Sequence, residues 1–211
     1  YGTIDLDYGL ERAGTPVVWK SKDFVNWSFE GSHISGFDWS KGYEYTNDKG
    51  EKKKGYFRYW APGRVIEHDG NFYLYVTFVK PGDKMGTYVL VADRPEGPFR
   101  FTEGKGLFVS GEEVDSPAII NDIDGEPFID DDGTGYIFWR RRNAARLSAD
   151  RLHLDGEPVT LKTARQGYSE GPVMFKRKGI YYYIYTLSGH QNYANAYICL
   201  LYTSDAADER S

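Results

Sequence analysis

Three stretches of the chain repeat one pattern, a turn glycine followed at once by an aromatic, β-prone run. They are Gly70-Asn71-Phe72-Tyr73-Leu74-Tyr75, Gly133-Thr134-Gly135-Tyr136-Ile137-Phe138 and Gly179-Ile180-Tyr181-Tyr182-Tyr183-Ile184. Each is preceded by a second apolar run: Arg64-Val65-Ile66, Glu126-Pro127-Phe128-Ile129 and Val173-Met174-Phe175. The residues between, Asp69-Gly70, Asp132-Gly133 and Lys178-Gly179, supply the left-handed or flexible positions of a tight turn, so each pair of runs predicts an antiparallel hairpin. Further strands are predicted at Tyr88-Val89-Leu90-Val91-Ala92, closed by Pro95-Glu96-Gly97-Pro98, and at Ala144-Ala145-Arg146-Leu147 before Asp150. The turn glycines recur at roughly the 40–50 residues of a propeller blade, with a longer insert in the first unit.

Ahead of these units, the stretch from Thr15 to Trp27 reads as the outer part of a preceding blade. The segment from Gly42 to Gly55, carrying Asn47-Asp48-Lys49-Gly50-Glu51-Lys52-Lys53-Lys54, reads as a solvated surface loop. Composition agrees with strands and turns rather than long helices: aromatic residues make up 17% of the chain, led by 18 Tyr and 12 Phe.

A formal net charge of -5 gives no basic field for nucleic acid or an anionic membrane, so a neutral partner is expected. No apolar run approaches the length of a membrane-spanning helix. Tyr1-Gly2-Thr3 reads as the end of a strand that begins upstream, which leaves localisation undefined between secreted, periplasmic and cytoplasmic. At the other end, the segment from Cys199 to Glu209 resembles an in-frame translation of a transposon-based sequencing adapter. The expected organisation is therefore a partial domain at 1–198 and a non-native tail at 199–211, with the single Cys in the tail.

The repeat also serves as a ruler. Asp124 lies nine residues before Gly133, Glu170 nine before Gly179, and Trp60 ten before Gly70, each close to a proline. Equivalent positions of a radial repeat face one axis, so the spacing predicts that an indole and two carboxylates meet at one central mouth.

With these motifs in order, the sequence resembles glycoside hydrolase family 43. The matching stretches are Ser21-Lys22-Asp23-Phe24-Val25-Asn26-Trp27, Tyr59-Trp60-Ala61-Pro62, Ile123-Asp124 followed by Phe128-Ile129-Asp130-Asp131-Asp132-Gly133, and Glu170-Gly171-Pro172 with the Tyr-rich strand after it. The resemblance implies an all-β fold, an incomplete five-bladed propeller holding part of blade 1, blades 2 and 3 and most of blade 4. It implies hydrolysis with inversion of arabinose-, xylose- or galactose-containing plant polysaccharides or oligosaccharides. It puts the general acid at Glu170 and the carboxylate that tunes and orients it at Asp124. A second carboxylate does this because two like charges resist coexisting.

Inversion further needs a base about 6.5–9.5 Å from the acid. The family draws it from the start of the first blade, here upstream of Tyr1, so the chain alone is expected to be inactive; Asp5 and Asp7 are not promoted to that role. The substrate surface falls to Trp60, as a platform for a pentose ring, with Phe128 and His190. No cofactor is expected in this stretch, and a central calcium ion is one expectation for the whole protein. Asp130-Asp131-Asp132-Gly133 lacks the ligand pattern of a calcium loop and reads as a solvated turn. Arg140-Arg141-Arg142 reads as the end of a strand, mixing surface and inter-blade pairing. Two other functions stay open: a non-catalytic carbohydrate-binding propeller, and a fructan-active clan relative that retains configuration.

Overall fold

The computed structural model describes residues 16–34, 38–101, 117–163, 167–188 and 194–201. The chain divides into two compact units, Tyr1–Gly125 and Glu126–Ser211. Both are built from antiparallel sheets whose strands follow one another in chain order, the connectivity of propeller blades.

In the first unit, β1 (Val17–Lys20) pairs with β2 (Ser28–Ser32), and β3 (Gly42–Thr46) pairs with β4 (Lys52–Tyr56). A four-stranded meander follows, comprising β5 (Arg58–His68), β6 (Asn71–Val79), β7 (Met85–Ala92) and β8 (Arg100–Phe101). The predicted turn at Asp69-Gly70 joins β5 to β6 with both residues at positive φ, 49° and 75°, as a two-residue hairpin turn requires. One face of this sheet carries Tyr59, Leu74, Phe78 and Leu90, all fully buried. Trp39 covers that face, its ring stacked on Phe78 at 6.1 Å. Each of the large apolar side chains removed from water there contributes about 1.5–3 kcal/mol.

The segment expected to be a loop between Gly42 and Gly55 is instead the β3–β4 hairpin. Its polar run is the turn and the outer strand: Asn47 Oδ1 accepts from the backbone N–H groups of Lys49 and Glu51 at 3.0 and 2.9 Å and so closes the loop. The inner strand places Tyr43 and Tyr45 two residues apart, partly buried on one side, while the three lysines of β4 face solvent. Lysine content concealed a strand whose partner carries the apolar alternation.

The second unit holds two sheets. The first runs β9 (Glu126–Ile129), β10 (Gly135–Trp139), β11 (Asn143–Leu147) and β12 (Leu154–Thr160). The second runs β13 (Tyr168–Arg177), β14 (Ile180–Ser188) and β15 (Ala194–Leu201), with Lys178-Gly179 as its first turn. Strand β15 continues through Leu201, paired with Ile180, three residues into the segment read as a foreign tail. Between the two sheets lies a core of Phe138, Ala144, Met174, Tyr183 and Tyr185, which Phe128 joins.

Asp130, read from sequence as part of a solvated turn, latches the two sheets of this unit together. Its carboxylate accepts from the Tyr181 hydroxyl at 2.6 Å and from Lys176 Nζ at 3.1 Å. Burial works against the charge, but the Tyr181 hydroxyl, the Asp131 N–H and the Lys176 ammonium outweigh it and hold the Asp130 carboxyl below its ordinary value. A depressed folded-state pKa means stability that is complete above the unfolded value, about 3.9, and lost as pH falls through the lower folded value. Asp130→Asn is accordingly expected to lower the urea midpoint at pH 7, with the gap from wild type closing below about pH 4. A gap that persists unchanged at pH 3 would show that the latch does not depend on ionisation.

Candidate functional site

Glu170 is the third residue of β13, where the strand is bulged. It pairs with Thr186, whereas Val173 pairs with Ile184, so Gly171 and Pro172 stand opposite Tyr185 alone. Gly171 takes φ 55°, the left-handed region open to glycine, directly before the buried Pro172. A bulge of this kind bends the strand and re-aims the side chain beside it. The half-buried Glu170 carboxylate accepts from the Tyr168 hydroxyl at 2.9 Å, which fixes its orientation. Burial first, then the bond to Glu170, raises the Tyr168 hydroxyl pKa, so it remains a donor at neutral pH. The Arg140 guanidinium lies 6.0 Å over the Tyr168 ring.

The approach to β13 is held by Arg142, two residues further on. Arg140–Arg142 form a single 3-10 turn between β10 and β11, with Arg141 and Arg142 both in the left-handed region at φ 64° and 61°. Arg141 is exposed, but Arg142 is only 8% exposed and donates to the Gly167 carbonyl at 2.8 Å and to Ser169 Oγ at 3.2 Å. It thereby clamps residues 167–169 to the neighbouring sheet of the same unit, one residue short of Glu170. The expected mixture of surface and inter-blade pairing is what the three arginines show.

In the first unit the mount for Asp124 is a pair of threonines. Thr77 and Thr87 face each other across β6 and β7 and are fully buried. Thr77 Oγ1 accepts from the Asp124 N–H at 3.0 Å, and Thr87 Oγ1 accepts from the Gly125 N–H at 3.3 Å while donating to the Asp122 carbonyl at 2.9 Å. Asp124 takes φ 65°, and a Cβ added to Gly125 would stand 2.5 Å from Thr87 Cγ2, so this approach is open to glycine alone. Trp60 is the cross-strand partner of Thr77, which places Trp60, Thr77 and Thr87 in one row. The Asp124 backbone therefore docks on the face that bears Trp60. The Trp60 ring is half-buried, with the Arg58 guanidinium 4.9 Å above it, and the following Ala61 has φ 36° at the bulge before Pro62.

Within the first unit, then, the structure brings Trp60 and Asp124 together. Glu170 belongs to the second unit. Phe128, expected at the substrate surface, is 7% exposed and sits edge-on to Tyr181 in the core of the second unit, so packing is its observed role. His190 lies outside the described residues, as do Asp5, Asp7 and Asp115. Among the described residues no group of three or more His, Cys, Asp or Glu side chains gathers to hold a metal ion. No helix among the described residues is long and apolar enough to cross a membrane.

Sequence reasoning missed the threonine mount and Tyr168. The one available signal was Thr77 inside Tyr75-Val76-Thr77-Phe78-Val79, a hydroxyl in an otherwise apolar strand, where a buried polar side chain must find a partner.

Comparison with known proteins gives one consistent outcome. The family model described as "Glycosyl hydrolases family 43" matches residues 10–207. A β-D-galactofuranosidase of Aspergillus niger is 33% identical over 201 residues, covering 90% of this chain and 52% of the relative. An arabinoxylan arabinofuranohydrolase of Bacillus subtilis is 28% identical, covering 89% of this chain and 38% of the relative. Among solved structures, one titled glycoside hydrolase superposes with a TM-score of 0.75 at 39% identity, over 96% of this chain and 42% of that one. The chain spans about half or less of the length of the curated relatives it matches.

Proposed function

The chain belongs to glycosyl hydrolases family 43, and from that premise we propose that it supplies the general acid of a glycosidase that inverts configuration at arabinose-, xylose- or galactose-containing plant glycans. The fold is all-β, and the family assigns it to part of a five-bladed propeller. The observation that carries the proposal is Glu170, held by Tyr168 on a strand bulge at the head of β13. The carboxyl would donate its proton to the leaving glycosidic oxygen, while a base carboxylate activates water on the opposite face of the ring. The family resemblance gives Asp124 the modulator's role, in which a second carboxylate raises the pKa of the acid because two like charges resist coexisting. Trp60 would stack on the pentose ring beside the Asp124 mount.

The relatives' names support this range of substrates: one acts on galactofuranosides and another on arabinoxylan. Stereochemistry tests the mechanism. In the protein carried to the full length of its relatives, proton NMR during the first minutes of aryl pentoside hydrolysis is expected to show the anomer opposite to that of the substrate. First product of the same anomer would assign a retaining mechanism with a covalent intermediate and remove the proposed division of roles. Sugar binding without any turnover would favour the non-catalytic reading.

A further inference from the structure

A second place in the first unit is shaped to hold sugar, and nothing in the reaction above uses it. A cleft of about 450 Å³ lies between the β3–β4 hairpin and the β6–β7 turn, a size within the roughly 300–1,000 Å³ of small-ligand sites. Tyr43, Tyr45 and Phe57 give it an aromatic lining, and Thr46, Asp48 and Lys84 stand at its edge. The aromatic part is fixed. Tyr43 packs edge-on to Phe57 at 4.9 Å, and Tyr45 lies against two glycines, where an added Cβ would come within 3.0 Å of its ring at Gly82 and 3.1 Å at Gly55.

The edge is different. The side chains of Glu44, Thr46, Asp48 and Lys84 make no hydrogen bond or ion pair among the described residues and are open to solvent, while the Asn47 side chain holds the turn beneath them in shape. Rigid aromatic surface bordered by uncommitted hydroxyl, carboxylate and ammonium groups suits a ligand with apolar C–H faces and many hydroxyls. Glu44 and Asp48 balance Lys80 and Lys84, and Asp83 is paired with Arg58, so the cleft has no excess charge to select an anion.

One ion pair links the cleft to the Trp60 platform. The Arg58 guanidinium lies over the Trp60 ring and pairs with Asp83 in the cleft lining. An oligosaccharide resting on Trp60 could extend across Arg58 into the cleft.

Resting on the glycosidase reading, we infer that this cleft is a second subsite, which binds a neutral sugar unit of the substrate remote from the bond that is cut. It sets preference for longer or branched chains and does not touch the reacting atoms.

The test is calorimetric titration of the 211-residue chain with a neutral arabinoxylo-oligosaccharide and, separately, with free arabinose. Thr46→Trp fills the cleft from an exposed strand position, and Asp48→Ala removes an edge acceptor. Each is expected to raise the oligosaccharide Kd at least about fivefold, with an unchanged urea midpoint and unchanged arabinose binding. Glu170→Gln should leave the oligosaccharide Kd where it was. Equal oligosaccharide affinity in wild type and both cleft variants, or no binding by the wild type at millimolar ligand, would overturn the inference. Loss of binding in the cleft variants, together with no turnover of a single-sugar aryl pentoside by the protein carried to the full length of its relatives, would leave the subsite standing and defeat the catalytic reading instead.

Discussion

In the protein carried to the full length of its relatives, Glu170→Gln is expected to cut hydrolysis of an unactivated pentosyl disaccharide by a factor of about 10²–10⁴, the range that a positioned general acid contributes. Glutamine preserves size and can still accept from the Tyr168 hydroxyl, so the 2.9 Å contact that orients the side chain need not be lost. What disappears is the transferable proton. Because the proton moves only as the glycosidic bond breaks, the loss belongs in kcat more than in KM. The stability read from urea unfolding should stay within about 0.5 kcal/mol of wild type, as for a substitution that creates no cavity. A fall in activity accompanied by unfolding would instead mark Glu170 as a structural residue of the bulge.

The second large effect is structural. Arg142→Met keeps most of the side-chain volume but removes the donor to the Gly167 carbonyl and Ser169 Oγ. Hydrogen bonds to a charged group contribute about 1.5–3 kcal/mol, and a buried acceptor left without its donor adds to the loss. The expected destabilisation is about 2–3 kcal/mol, read as a lower urea midpoint. Residues 167–169 lead directly into Glu170, so kcat should fall as well, under conditions where the protein is still folded. Arg142→Lys is expected to recover only part of either loss, since an ammonium does not reproduce the planar fork of the guanidinium. Full activity in a destabilised Arg142→Met protein would separate the clamp from the positioning of the acid.

Local turn chemistry made the main hairpins legible. Asp69, Gly70 and Gly179 adopt the positive φ angles their residue types suggest, and the aromatic runs after those turns form β6 and β14. The same logic failed at Gly42–Gly55, because lysine content was weighed above the Tyr43–Tyr45 alternation and the Asn47 turn. Long-range partners could not be read at all. Asp130 meets Lys176 and Tyr181 across two sheets, and nothing near Asp130 in the sequence announces either contact. Spacing singled out Trp60 and Asp124, which the threonine pair brings onto one face, but the mount itself is a tertiary contact between residues 47 positions apart. Phe128 packs in the core of the second unit. It lies inside a motif stretch, and proximity to a motif does not say whether a ring faces the core or the ligand.

A comparison of leaving groups tests the assignment of Glu170 most directly. A dinitrophenyl pentoside leaves as a stable phenolate and needs no proton, whereas a sugar or alkyl alcohol leaving group does. If Glu170 is the acid, Glu170→Gln should retain most of its turnover of the dinitrophenyl substrate while losing about 10²–10⁴ on the alkyl one. Equal losses on both substrates would contradict proton donation by Glu170, and with it the account given of this site.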